Sequence, residues 1–179
     1  MSHDLQAAIA RTTKTFDAEP GRARVTFRCD SALQEGFQSA VSVRHHTLTV
    51  DEPTGIGGSD QGPTPVELVL AALGTCQEIT YRAFATALGI PLQGVSASVE
   101  GDIDFRGFFA LDDTVRPGFG ALRVNITLTS NASPSDLAQL TAAVNAHCPV
   151  LDMLSVPVPT TCNIRVVPGC TATPPNGAT

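Results

Sequence analysis

The chain has 179 residues, a formal net charge of −6, a pI near 5.0, and 42% hydrophobic against 16% charged residues. A chain of this length buries about 70% of its unfolded surface, so a single domain can fold without metal or disulfide staples, and the composition excludes the disordered and coiled-coil classes. The eleven basic residues are scattered, leaving no basic stripe to neutralise phosphates or anionic lipid, which excludes nucleic acid and membrane surfaces as partners.

The opening MSHDLQAAIARTTK has no basic stretch ahead of an apolar one. No run approaches the roughly 18 apolar residues of a membrane span, so the protein is expected in the cytoplasm. Residues 1–20 read as a polar N-terminal arm or short helix. Residues 21–167 read as the folded domain, and 168–179, PGCTATPPNGAT, as a flexible tail.

After Gly21, alternation in Val25, Phe27 and Cys29, in Val41, Val43 and His45, and in Leu48 and Val50 predicts antiparallel strands in an N-terminal meander. His45 and His46, as strand neighbours, are expected on opposite faces, which argues against a shared metal site. The turn-rich DEPTGIGGSDQGPTP closes the meander; its glycines lead into a helix through Pro65 with no lysine for phosphate, so it reads as a loop.

The first long helix has a strong start. Thr64 can be N-cap, Pro65 suits the first helical position, and Glu67 completes a Thr-x-x-Glu capping box. The helix is expected to run to Leu88, with Gly89 after its end and Pro91 beyond. Residues 68–73 are apolar or small on every side, which predicts a central helix wrapped by protein. Two strands follow, one presenting Val95, Ala97, Val99, Ile103 and Phe105 on one face, the other Leu122, Val124, Ile126 and Leu128. Between them RGFFALDDTVRPGFG holds Phe108, Phe109 and Phe119, expected to fold back onto the sheet or a partner subunit rather than to form a lid for an apolar ligand.

A second helix begins with Ser133 as N-cap, Pro134 and Asp136. It carries Leu137, Leu140, Ala143 and Val144 at helical spacing and stops at Cys148-Pro149, with a short helical turn through VLDML beyond. A last strand is expected over 160–167. The order strands, helix, strands, helix, strand indicates an α+β domain of antiparallel sheets packed with helices.

Five cysteines, Cys29, Cys76, Cys148, Cys162 and Cys170, are dispersed without a CxxC pair. In a reducing compartment they start as thiols, and a disulfide among them would be catalytic or redox-sensing. Cys76 lies in mid-helix, where a free cysteine is most often a small core hydrophobe. It is too far from the helix start for the dipole to lower its pKa much. Cys148 ends the second helix, and its sulfur could turn toward the first; His147 beside it reads as a helix-end histidine. Cys29 and Cys162 read as strand packing and Cys170 as an incidental thiol. No GxSxG, HExxH, P-loop or dinucleotide-binding glycine pattern is present.

The helix PVELVLAALGTC, matching P-x-E-L-x-x-A-A-x-x-x-C, followed by HCPV with its C-P-V, resembles the OsmC/Ohr superfamily over residues 25–167. RHHTLTVDEP and GGSDQGPTPVELVLAALGTC look most like its OsmC-like branch. The resemblance implies an OsmC-like fold, antiparallel sheets around two central helices in an intertwined homodimer. It implies a thiol peroxidase with no cofactor and no metal: Cys76 attacks an organic hydroperoxide and becomes a sulfenic acid, Cys148 resolves it as a disulfide, and a small dithiol or thioredoxin-like donor resets the pair. It further implies an arginine from the meander beside the thiolate, here Arg28 or Arg44, with Arg28 favoured by its distance ahead of the helix. That arginine would be held by a glutamate at the start of the central helix.

At that glutamate the sequence departs from the pattern. The position ten residues before Cys76 is Val66, and Glu67 stands nine before. Nine residues turn a helix by about 900° and advance it by about 13 Å, so Glu67 and Cys76 leave it on opposite sides. Glu67 is also explained as the capping-box residue. The alternative reading is a non-catalytic dimer of the same fold that binds a small molecule or senses redox state through its thiols.

Overall fold

The computed structural model describes residues 2–168; Cys170 and the rest of the expected tail beyond Pro168 lie outside the described residues. The N-terminal segment forms helix α1 (Ser2–Ala18), followed by a 3-10 turn at Pro20–Ala23. A three-stranded antiparallel meander follows, β1 (Asp30–Leu33), β2 (Ser39–Val43) and β3 (His46–Val50), in the order β1-β2-β3. Then come α2 (Pro65–Leu88), β4 (Gly94–Asp102), the single turn α3 (Phe105–Phe108), β5 (Ala121–Thr129), α4 (Pro134–His147) and α5 (Pro149–Ser155). The fold is α+β with two small antiparallel sheets, β1–β3 and β4–β5, and helix α2 between its partners.

Helix α2 starts as its sequence predicts. Thr64 Oγ1 accepts from the Glu67 amide at 3.2 Å and Glu67 Oε2 accepts from the Thr64 amide at 2.7 Å, a complete capping box. It ends at Gly89, whose φ of 69° is the left-handed conformation a glycine adopts without strain. Its inner face lies on the β4–β5 ribbon, where the register pairs Val95 with Leu128, Ala97 with Ile126 and Val99 with Val124 on one face. At Gly74 a Cβ would lie 3.2 Å from Val99 Cγ2, so the missing side chain lets helix and strand approach. Glu78 Oε1 accepts from the Ala97 amide at 3.1 Å, covering a donor that β5 does not use. Tyr81, Ala85, Leu92, Leu140 and Val144 form the buried core where α2, α4 and the ribbon meet.

Several expectations are corrected. The strand foreseen through Val25, Phe27 and Cys29 begins only at Asp30, because β2 ends at Val43, opposite His46, and its ladder with β1 stops at the Asp30–Ser42 pair. His45 belongs to the β2–β3 turn, where Arg44 has φ 57°, so the rings of His45 and His46 meet at 3.9 Å rather than facing apart. Phe105 starts α3 instead of extending β4. Residues 160–167 form no strand, since nothing among the described residues offers them a ladder. Helix α2 is buried on one side only: Ala71, Ala72 and Thr75 are exposed and Ile79 is 69% exposed. Of the three phenylalanines in the β4–β5 connection, Phe119 folds back against Gly101, while Phe108 and Phe109 stay exposed.

The loop between β3 and α2 is built on Asp51. Its buried carboxylate accepts from the Glu52 amide at 2.8 Å, the Ser59 amide at 3.1 Å, the Ser59 hydroxyl at 2.6 Å and the Gln61 amide at 3.2 Å. The loop folds so tightly that a Cβ at Gly58 would sit 1.8 Å from the Glu52 carbonyl oxygen.

Candidate functional site: the Cys76–Cys148 thiol pair

Pro149 determines the position of Cys148. A residue before proline is pushed out of the helical region, and Cys148 accordingly has φ −77° and ψ 113°, ending α4 and serving as N-cap of α5. Its amide still donates to the Val144 carbonyl at 2.9 Å and its carbonyl accepts from the Asp152 amide at 3.0 Å, so the kink is held on both sides. The corner turns the sulfur toward α2. Cys148 is buried, and its thiol donates to Cys76 Sγ at a sulfur–sulfur distance of 3.4 Å.

Burial pushes the Cys76 thiol above its ordinary value. The backbone amide of Val150, in the first turn of α5, pulls it back down, and the neighbouring Cys148 thiol pushes it up again. Thr80, one turn on, donates its hydroxyl to the Cys76 carbonyl at 2.7 Å and adds a smaller downward pull. Val150 is the contributor that residue-by-residue reading does not single out; the signal for it is Pro149, which starts a new helix one residue after Cys148 and aims that helix's first amides back at α2.

The other candidates lie apart from the pair within the chain. Arg28 donates to both oxygens of Asp30, at 2.7 to 3.1 Å, with its side chain 81% exposed. Arg44 occupies the exposed β2–β3 turn. Among the described residues neither makes a hydrogen bond or ion pair with Cys76. Glu67 is engaged in the capping box. Cys29 and Cys162 are exposed thiols rather than strand packing. No group of three or more His, Cys, Asp or Glu side chains suited to a metal occurs among the described residues.

A family profile described as OsmC-like protein matches residues 58–163, more than half of the chain and inclusive of both cysteines. The chain belongs to the OsmC-like family. No curated protein matches the sequence. Solved structures share the OsmC-like fold at low identity. The OsmC-like protein of Mycoplasma pneumoniae is 17% identical with a TM-score of 0.64, covering 73% of this chain and 88% of that one. An organic hydroperoxide resistance protein OsmC from Legionella pneumophila is 20% identical with a TM-score of 0.56, covering 73% and 89%. An organic hydroperoxide resistance protein from Elizabethkingia anophelis is 16% identical with a TM-score of 0.55, covering 72% and 87%. No helix among the described residues of this OsmC-like chain is long and apolar enough to cross a membrane.

Proposed function

We propose that this OsmC-like protein is a cysteine-based thiol peroxidase acting on organic hydroperoxides. The observation that carries the reading is the 3.4 Å separation of Cys76 and Cys148, two thiols from different helices held where a bond can form. In the reaction the Cys76 thiolate attacks the terminal oxygen of ROOH, the O–O bond breaks, and the leaving alkoxide takes a proton to become ROH. Cys76 is left as a sulfenic acid. The Cys148 sulfur then attacks the Cys76 sulfur and water leaves, giving a disulfide whose sulfurs need close only to about 2.05 Å. A small dithiol or thioredoxin-like donor reduces that bond by exchange and restores both thiols.

A thiol raised by burial needs a cation to ionise near neutral pH. We assign that part to Arg28 or Arg44 of a second copy in a homodimer, consistent with the exposed side of α2 and with the absence of either arginine from the site of its own chain. Glu67, occupied by its own helix start, is the least supported of the proposed site residues. We take residues 21–167 as the catalytic domain, with the N-terminal arm and C-terminal tail outside it, in a cytoplasmic protein whose thiols start reduced. The upward push on Cys76 favours one second reading, a thiol sensor or binding protein that oxidises slowly.

The test compares Cys76 oxidation by cumene hydroperoxide and by hydrogen peroxide in wild type and Cys148→Ser, locating products by mass spectrometry. Fast oxidation selective for the organic peroxide, with a Cys76–Cys148 disulfide in wild type and a sulfenic acid in the variant, supports the peroxidase. Oxidation no faster than that of a free thiol transfers the protein to the second reading.

A further inference from the structure

A separate cavity of about 180 Å³ lies at the start of α2, bounded by the β3–α2 loop, by Pro65 and Val66, and by the connection between β4 and β5. Its walls are aromatic. Phe108 and Phe109 stand edge to face at 5.0 Å and 76°, Phe105 and Phe108 at 6.4 Å and 88°, and Phe37 also lines the space. Rings set at steep angles to each other present both faces and edges to the space between them. The one ionisable side chain on the wall is Glu52. Its backbone is fixed, the amide donating to Asp51 and the carbonyl accepting from the Asp60 amide, yet its carboxylate has no hydrogen bond or ion pair among the described residues.

The aromatic wall is built rather than loose. Asp104 caps α3 and pairs with Arg106 at 2.5 Å, and Arg106 also meets Asp112 at 3.5 Å, so that guanidinium is already neutralised, while Arg116, the loop's other cation, lines a different cavity. A Cβ at Gly107 would lie 2.5 Å from the Arg116 carbonyl oxygen, and Ala110 holds φ 52° to turn the chain behind Phe109. Such backbone strain persists only where the surroundings over-determine it. The loop therefore holds its phenylalanines in place over an apolar space with Glu52 on its wall.

We propose that this cavity binds an organic ammonium ion, a monovalent cation carrying a small aryl or alkyl body. The rings attract the cation through their negative faces, Glu52 supplies the counter-charge, and the body fills the space against Val66. A neutral apolar molecule would leave Glu52 unpaired beside it, and an anion would meet the carboxylate directly. The net charge of −6 favours approach of a cation. This inference does not depend on the peroxidase reading, since none of its residues belongs to the thiol pair.

Calorimetry of the full chain with phenethylammonium chloride and with neutral 2-phenylethanol tests it, alongside NMR of methyl-labelled valines. Phenethylammonium should bind about tenfold more tightly than the alcohol and shift the Val66 methyls, as a charge-assisted site requires. Glu52→Gln should bring the two probes to within about twofold of each other, and Phe109→Leu should weaken the ammonium ion severalfold in a protein whose circular dichroism is unchanged. Equal binding of both probes, an unaffected Glu52→Gln, or shifts confined to other valines would overturn the proposal. So would a cavity closed to both probes in which Glu52→Gln alters the sedimentation of the protein, because the cation would then be a side chain of a second copy.

Discussion

Cys148 and Asp51 show two ways in which a single residue uses burial. Cys148 raises the Cys76 thiol when its sulfur takes the proton of the shared hydrogen bond from Cys76 or is itself ionised, in addition to the larger push from burial. Removing its sulfur leaves Val150 as the main hydrogen-bonding influence. Cys148→Ala should therefore lower the Cys76 pKa, and alkylation of Cys76 by iodoacetamide at neutral pH should speed up severalfold, because the thiolate is the reacting form. A pH series of alkylation rates checks this; a slower variant would show that Cys148 helps ionise its partner. Asp51 works in the opposite direction. The Ser59 hydroxyl, with the amides of Glu52, Gln61 and Ser59, outweighs burial and holds its carboxyl below the usual value. A depressed folded-state pKa gives stability that is present in full above the unfolded value near 3.9 and is lost as pH falls through the folded value. Asp51→Asn should melt several degrees below wild type at pH 7, with the gap narrowing in acid; a constant gap from pH 7 to pH 2 would refute the carboxylate's role.

At the scale of elements, the starts of the two long helices were legible, while the single turn α3 and the strand ends were not. Thr64, Pro65 and Glu67 write a helix start in purely local terms, and so do Ser133, Pro134 and Asp136; both starts are realised with their side-chain caps. Thr64→Ala should cost about 1 kcal/mol of stability by urea denaturation, and Glu67→Ala a comparable amount through the other half of the box. If Glu67→Ala also slows Cys76 oxidation while Thr64→Ala does not, the glutamate has a chemical part beyond capping. Strands depend on partners remote in sequence, so alternation at 25–29 and 160–167 marks strand-like chain without saying what it pairs with. The thiol pair was legible as two cysteine contexts. Its geometry came from Pro149, whose effect on Cys148 is local, and from the packing of α4 on α2, which is not.

The whole molecule carries an imbalance that one chain does not resolve. Phe27 is 87% exposed, Ile164 91% and Val166 88%, all in extended segments without a ladder among the described residues, and Ile79 opens from the uncovered side of α2. Exposed apolar area on this scale marks an association surface. Strand-like segments with free backbone groups are what a second copy can pair with. The homodimer proposed above accounts for both, and it separates two properties that a peroxidase assay alone merges. The disulfide needs only Cys76 and Cys148 of one chain, already 3.4 Å apart, whereas the cation that ionises Cys76 is assigned to the other chain. Ile79→Glu should therefore give a folded monomer by sedimentation velocity while wild type sediments as a dimer. In that monomer excess cumene hydroperoxide should still drive the Cys76–Cys148 bond to completion, but about tenfold or more slowly at neutral pH, because less of the thiol is ionised without the partner's cation. A monomer that reacts at the wild-type rate would remove the partner's arginine from the chemistry, and a variant that remains dimeric would move the association surface away from α2 to the unpaired strands.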